Sequence, residues 1–113
     1  MQTDGRTVLE DMELHGKPVM AGEQVILLLG AANRDPRHFP DPDRLDLSRG
    51  DKSHVGFGRG IHSCLGAPLA RLEGQVAFQK LFERYPRLRL AEPRPPFKDH
   101  IVLRGLRRLP VTV

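Results

Sequence analysis

The sequence has 113 residues, of which 39% are hydrophobic, 28% are charged and 5% are aromatic, and its formal net charge is +4. This length allows at most one domain with a modest core, and the 11 glycines and 10 prolines indicate many loops. The longest apolar run, residues 25–32, is far shorter than the roughly 20 residues of a membrane-spanning helix, which excludes a transmembrane segment. The first residues lack the pattern of a secretion signal, so a cytoplasmic location is expected.

The first third of the chain predicts strands and turns. Partial alternation in residues 7–14, followed by a turn at residues 15–18 and a further apolar pair, predicts a small β-hairpin. The apolar residues 25–29 are too few and too uniform to distinguish strand from helix, and we expect them to start a buried segment that ends near Arg34.

The next segment, residues 33–52, alternates Asp, Pro and basic residues. Asp-Pro pairs disfavour helix, and Asp side chains stabilise local turns. Phe39, Leu45 and Leu47 are the apolar residues that need a place to pack. The segment is therefore predicted to be an ordered loop rather than a disordered linker.

Residues 65–85 give the strongest helix prediction in the sequence. Leu69, Leu72 and Val76 recur at steps of three and four, and the apolar surface widens toward the end of the segment. Gly74 in the interior costs on the order of 1 kcal/mol relative to Ala, so the helix depends on packing more than on intrinsic propensity.

The last part of the chain is rich in proline and contains two short apolar stretches. Residues 101–103 and residues 111–113 lie on either side of Gly105, and this arrangement predicts a second β-hairpin. Short hairpins together with one long helix make α+β the predicted class of the chain.

Cys64 is the only cysteine, and it lies just before the predicted helix. Backbone N–H groups at a helix N-terminus favour a thiolate, which can act as a nucleophile or as a metal ligand. Gly58 and Gly60 allow the backbone to approach a flat ligand closely, and Phe57 is placed to shield a bound sulfur from water. Judged alone, an inert buried thiol is the alternative interpretation of Cys64.

Other chemistries fit this segment less well. A nucleotide loop would need G-x-G-x-x-G spacing between a strand and a helix, which is missing here. A cysteine hydrolase has His54, His62 and His100 as possible bases, but no motif of that chemistry is present. The 18 basic residues are spread along the chain with a single Tyr, which argues against nucleic-acid binding.

The ten residues from 57 to 66 resemble the heme-binding signature of the cytochrome P450 superfamily, the heme-thiolate monooxygenases. Its fixed positions are filled by Phe57, Gly60, His62, Cys64 and Gly66. The resemblance implies that Cys64 is the proximal thiolate ligand of the iron of heme b. It also implies that His62 bonds a heme propionate and that Gly58 lies in the cofactor-binding loop.

The resemblance extends beyond the signature. Residues 32–49 resemble the meander that precedes the cysteine loop in bacterial members, and residues 69–73 resemble the start of the long helix beneath the heme. Residues 4–16 resemble the strand region that places an arginine on the other propionate, which implies this role for Arg6. Ile101 and Val102 match the hairpin that reaches into the substrate pocket.

The resemblance covers only the C-terminal portion of a fold that is mainly α-helical in the parent domain. The long distal helix and the Glu-x-x-Arg helix have no counterpart in the sequence. Residues 1–113 are therefore expected to be a fragment of one catalytic domain, without a complete independent domain. We expect the isolated chain to have little or no monooxygenase activity, because the part of the domain that activates oxygen and encloses the substrate is not encoded in it.

The family also implies partners. The parent enzyme would oxidise a small apolar substrate and receive electrons from an acidic ferredoxin-type or flavin donor. Arg59, Arg71 and Lys80 are candidate contacts for that donor. Neither nucleic acid nor membrane is expected as a partner. The alternative interpretation is a small basic protein-binding module without redox activity.

Overall fold

The computed structural model describes all 113 residues, which divide into two units. The first unit comprises Met1–Gly56 with Ile101–Leu103, and the second comprises Phe57–His100 with Arg104–Val113. No helix in the chain has both the length and the apolar character that crossing a membrane requires.

Four short strands form two antiparallel pairs in the first unit. The strands are β1 (Asp4–Thr7), β2 (Met12–Leu14), β3 (Lys17–Val19) and β4 (Gln24–Leu27). β2 and β3 form the predicted hairpin, while β1 pairs with β4. The hairpin turn is His15-Gly16, and both residues have positive φ, at 51° and 78°. Positive φ at both central residues is the geometry that joins two strands through a two-residue turn.

The segment after β3 differs from the expectation of a buried element. β4 is followed by the short helix α1 (Leu29–Ala32), so one apolar run forms a strand and then a helical turn. Ile26 is 68% exposed, and no residue of β4 or α1 is buried. The prediction of burial was wrong because β1 is the one strand or helix that packs substantially against β4, and it leaves most of the apolar side chains of β4 exposed.

The ordered loop predicted for residues 33–52 contains neither helix nor strand and is held by hydrogen bonds. The Arg49 guanidinium donates to three backbone carbonyls within the loop, and the Asn33 side-chain oxygen accepts from the Val55 N–H at 2.7 Å. Phe39 is buried as predicted, whereas Leu45 and Leu47 are exposed. Only one of the three expected apolar anchors therefore packs within this chain.

The second unit contains the long helix α2 (Ala67–Arg84). Its range agrees with the prediction to within two residues at the start and one at the end. Gly66 precedes it, and Pro68 occupies the first turn, where its missing N–H costs no helical hydrogen bond. The helix ends at Arg84, and its C-cap Tyr85 stands just before Pro86.

The end of the chain pairs differently from the prediction. β5 (Arg89–Leu90) pairs antiparallel with β6 (Val111–Thr112), and Phe97 forms an isolated bridge with Leu106. The predicted hairpin between residues 101–103 and 111–113 was wrong. Residues 101–103 belong to the first unit instead, where the Gln2 N–H donates to the Val102 carbonyl at 2.7 Å.

Very little of the chain is buried. The buried residues are Val8, Phe39 and Ala67, and none of them is polar. A chain of this length normally buries about two thirds of the surface that its unfolded state exposes, so this core is unusually small.

Candidate functional site

The cysteine loop, residues 57–66, folds back on itself through the main chain. The Cys64 N–H donates to the Phe57 carbonyl at 2.8 Å, and the Ser63 N–H donates to the Gly60 carbonyl at 3.0 Å across a 3₁₀ turn, Gly60–His62. The Cys64 carbonyl in turn accepts from the Ala67 N–H at 3.1 Å. Cys64 is thus fixed at both its N–H and its C=O, directly before the first turn of α2.

Two glycines make this reversal possible. Gly58 and Gly60 have φ of 74° and 67°, in the left-handed region that side chains with a Cβ rarely adopt. A Cβ on Gly58 would lie 2.9 Å from the His62 carbonyl oxygen, whereas a Cβ on Gly60 would meet nothing within 4 Å. From the sequence, both glycines were expected to let a ligand approach the backbone closely. The structure shows that the fold of the loop itself already requires glycine at position 58.

The Cys64 thiol is exposed at the surface of the unit. Ile61 and Leu65 on either side of it are 97% and 98% exposed, so the thiol lies in an apolar stretch that the chain itself leaves uncovered. Three or more His, Cys, Asp or Glu side chains do not converge anywhere as a metal site. A single soft sulfur donor beside uncovered apolar side chains fits a metal that brings its other ligands within a flat apolar macrocycle, as heme iron does.

The Phe57 ring has a cationic neighbour that the sequence did not indicate. The Arg71 guanidinium carbon lies 5.0 Å from the centroid of the ring, within the range of a cation–π contact. Because the cysteine loop turns back onto α2, two residues 14 positions apart become neighbours. No periodic pattern in the sequence would pair them.

The other basic candidates in the second unit are all exposed. Arg59 and His62 lie in the cysteine loop, with His62 at the end of the 3₁₀ turn. Lys80 forms an ion pair with Glu83 at 3.2 Å. Arg71 and Lys80 are nine residues apart, about two and a half helical turns, so they lie on opposite sides of α2. One flat partner cannot contact both.

Arg6 lies on β1 in the first unit, paired with its own neighbours. Its guanidinium forms an ion pair with Asp4 at 2.7 Å and donates to the Gly5 carbonyl at 2.6 Å. About a third of each charged side chain remains exposed. A ligand of Arg6 would therefore compete with, or add to, the Asp4 carboxylate.

The substrate candidates Ile101 and Val102 border an open, mainly apolar cleft of about 580 Å³ in the first unit. The remaining residues of the cleft are Met1, Thr3, Asp4, Gly5, Ile26 and Leu28. Sequence reasoning had missed the contribution of Ile26 and Leu28, because it treated residues 25–29 as buried core.

Comparison with known proteins gives consistent matches over almost the entire chain. The sequence model of the family described as Cytochrome P450 matches residues 3–109. The biotin biosynthesis cytochrome P450 of Bacillus subtilis (strain 168) is 46% identical over 111 residues, which cover 98% of this chain and 28% of the relative. The 6-deoxyerythronolide B hydroxylase of Saccharopolyspora erythraea is 43% identical over 112 residues, which cover 97% of this chain and 28% of the relative.

The backbone of this chain also agrees closely with that of a solved structure. The crystal structure of P450BioI in complex with hexadec-9Z-enoic acid ligated acyl carrier protein superimposes with a TM-score of 0.93 at 46% identity, covering 98% of this chain and 29% of that one. The chain thus spans less than a third of the length of the relatives that it matches. The prediction that it has the fold of a part of these proteins is confirmed.

Proposed function

The chain belongs to the cytochrome P450 family, and from this premise we propose that its cysteine loop binds heme b, with Cys64 Sγ as the protein ligand of the iron. The observation that carries the proposal is the exposed thiol of Cys64, held at both backbone groups at the start of α2. Cys64 lies three residues before α2 begins, toward the positive end of the helix dipole, and this polarity is compatible with a negatively charged sulfur bound to a metal.

The other residues of the loop would shape and orient the bound cofactor. Phe57 would shield the sulfur from water, and its ring is held by Arg71. Gly58 and Gly60 keep the loop thin, and Gly66 lies next to the sulfur, where an added Cβ would make an ordinary van der Waals contact with Sγ at 3.8 Å. When bound, heme supplies the oxygen-activating chemistry, which a thiolate ligand promotes by donating electron density.

The heme propionates need cationic or hydrogen-bonding partners. We assign these roles to His62, which is exposed in the cysteine loop, and to Arg6 on β1. Because Arg6 already forms an ion pair with Asp4, its interaction with a propionate would be weaker than that of an unpaired arginine.

The activity proposed for the whole protein is monooxygenation of a small apolar substrate. The cleft bordered by Ile101 and Val102 is the candidate contact surface for that substrate. Residues 1–113 would form part of one catalytic domain and not a complete domain. The isolated chain is therefore expected to bind heme without hydroxylating a substrate, because nothing in it encloses the cleft.

Electrons would come from an acidic ferredoxin-type or flavin donor. Arg59 and Arg71 are the proposed contacts, since both are exposed and belong to the cysteine loop or the first turns of α2. Lys80 lies on the other side of the helix and is assigned no part in this surface.

Hemin titration of the purified chain tests the ligand assignment. The reduced carbon monoxide complex should show the strongly red-shifted Soret band of thiolate ligation, and Cys64→Ser should abolish the band. Ser63→Ala, one residue away, is the matched control and should retain it. A spectrum that Cys64→Ser leaves unchanged would refute the assignment, and a chain that ignores hemin but binds an acidic protein would favour a basic binding module.

A further inference from the structure

The cleft residues Ile101 and Val102 lie in the middle of a loop, residues 96–107, whose two ends pair with each other. We call the paired ends the stem, residues 96–98 and 105–107. Two residues separate the stem from Ile101 on one side and from Val102 on the other. The geometry of the stem therefore limits where these two side chains can lie.

The main chain of the stem provides few hydrogen bonds. The Arg107 N–H donates to the Pro96 carbonyl at 2.8 Å. The Lys98 N–H donates to the Gly105 carbonyl, also at 2.8 Å. Proline has no N–H, so Pro96 cannot return a bond, and the Lys98 carbonyl accepts from the His100 N–H on its own side of the stem. An isolated two-stranded pairing is at best marginally stable in water, so this stem needs support from side chains.

The Arg107 side chain supplies that support by crossing the stem to two acceptors. Its Nε donates to the Phe97 carbonyl at 3.0 Å, and its Nη2 forms an ion pair with the Asp99 carboxylate. An exposed ion pair contributes little alone, but the planar guanidinium presents its donors as a fork that contacts both acceptors at once. Asp99 stands two positions before Ile101, so one of these contacts lies close to the cleft residues in the chain.

A second arginine supports the stem from the other side of the cleft residues. The Arg104 guanidinium carbon lies 3.8 Å from the centroid of the Phe97 ring, within the range of a cation–π contact. Arg104 stands two positions after Val102. Side-chain contacts with the stem therefore begin two residues away on both sides of the pair that borders the cleft.

We propose that Arg107 is a positioning residue for substrate selection, because it holds the stem closed and so fixes Ile101 and Val102 at the border of the cleft. The proposal deepens the function proposed above and rests on the cleft as the substrate surface. Arg107 does not line the cleft and acts only through these two residues. We expect it to determine which shape of apolar ligand the cleft prefers.

Amide exchange and methyl NMR of the purified chain test the effect on the loop. Arg107→Gln should accelerate exchange of the Lys98 amide by roughly 3- to 10-fold, as expected for the loss of one hydrogen bond, and should shift the methyl signals of Ile101 and Val102. Arg107→Lys keeps the charge but lacks the planar fork, so it should have nearly the same effect.

Arg108 provides a matched control. It neighbours Arg107 and forms an exposed ion pair of its own, with Glu92 at 3.0 Å. Arg108→Gln removes the same charge and should leave the Lys98 amide and the methyl signals unchanged. The proposal is overturned if Arg108→Gln and Arg107→Gln behave alike, or if Arg107→Lys behaves like the unaltered chain, because charge and not the forked contact would then hold the loop.

Two apolar probes of different shape, n-octanol and adamantanol, test selection by the cleft. Their dissociation constants are measured from the methyl signals of Ile101 and Val102. Arg107→Gln should change the ratio of the two constants several-fold, whereas Arg108→Gln should not. General loosening of the chain would weaken both probes equally, so an unchanged ratio in Arg107→Gln overturns this proposal alone. If neither probe moves these signals in the unaltered chain, the assignment of the cleft as the substrate surface is refuted, and this proposal with it.

Discussion

The backbone N–H of Cys64 donates a 2.8 Å hydrogen bond to the carbonyl of Phe57, so the first residue of the cysteine loop holds the residue that carries the thiol. The bond closes a chain reversal that depends on positive φ at Gly58 and Gly60. The backbone position of Cys64 is therefore set by the main chain of the loop itself.

Replacement of Gly58 by alanine should open this loop. The new Cβ meets the His62 carbonyl at 2.9 Å and requires a strained φ, which together cost about 1–3 kcal/mol. We expect hemin affinity to fall by roughly 5- to 150-fold, measured by titration. Gly50→Ala is the control, because its Cβ enters open space at an ordinary φ. Equal affinities of the two variants would contradict the prediction.

Arg71 and Lys80 offer a pair for testing donor docking, since each loses one positive charge on substitution by glutamine. Arg71→Lys keeps the charge but removes the guanidinium that lies over the Phe57 ring, so it controls for loss of that contact. In the heme-loaded chain at low salt, Arg71→Gln should slow reduction by an acidic ferredoxin several-fold, whereas Lys80→Gln should not. The reason is that the two side chains lie on opposite sides of α2 and only one can contact a given partner. Stopped-flow reduction measures both rates. Equal slowing would mean that net charge, and not a docking surface, sets the rate.

The Asp35 carboxylate in the ordered loop should titrate below the ordinary range of aspartate carboxylates. Side-chain hydrogen bonds from Arg37, a further bond from the Arg37 backbone N–H and the positive charge of Arg37 lower its pKa from 3.8 to about 2. A lowered pKa means that this turn is stabilised above pH 3.8 and loses that contribution as the pH falls through about 2.

Carbon-detected NMR titration of the Asp35 carboxyl checks this value. Arg37→Gln should raise the pKa toward 3.8 without reaching it, because the backbone N–H at position 37 still donates. Arg34→Gln removes a different ion pair, that with Asp43, and should leave the pKa of Asp35 near 2. An Asp35 that titrates normally in the unaltered chain would show that the Arg37 contacts are not held in solution.

Predictions that depended on residues close together in the sequence were correct, whereas pairings between distant residues were not predicted. The range of α2 and the β2–β3 hairpin depend on spacing, proline and turn residues a few positions apart, and both were predicted. The β1–β4 and β5–β6 pairings join residues that are distant in sequence, and they were not predicted. The residues of a strand do not by themselves indicate which distant strand it will pair with.

Burial was the property that the sequence predicted least well. Ile26, Leu45 and Leu47 are apolar residues expected to pack, yet all three are exposed. An apolar pattern shows that a side chain needs cover but not which chain segment supplies it. For the cysteine loop, the motif identified the candidate heme-binding residues. The contact of Arg71 with Phe57 could not be predicted, because it forms only when the loop folds back onto α2.

The hydrogen bond from the Val55 N–H to the Asn33 side-chain oxygen should contribute most to holding the ordered loop in place. It is partly buried and joins residues 22 positions apart at 2.7 Å, whereas many of the loop's other side-chain bonds join close neighbours. Asn33→Ala leaves the Val55 N–H unsatisfied at a cost of about 1–3 kcal/mol, so exchange of that amide should accelerate by roughly 5- to 150-fold.

Amide exchange at Val55 can separate loss of the acceptor from loss of the side chain. Asn33→Asp keeps an acceptor oxygen at the same position and should preserve most of the protection, whereas Asp43→Asn removes only an exposed ion pair with Arg34 and should have almost no effect. If Asn33→Ala exchanges no faster than Asp43→Asn, the loop does not depend on this bond. Its order would then come from the burial of Phe39 and from the loop's other non-local contacts, such as the three carbonyl contacts of Arg49 and the hydrogen bond between His38 and Ser53.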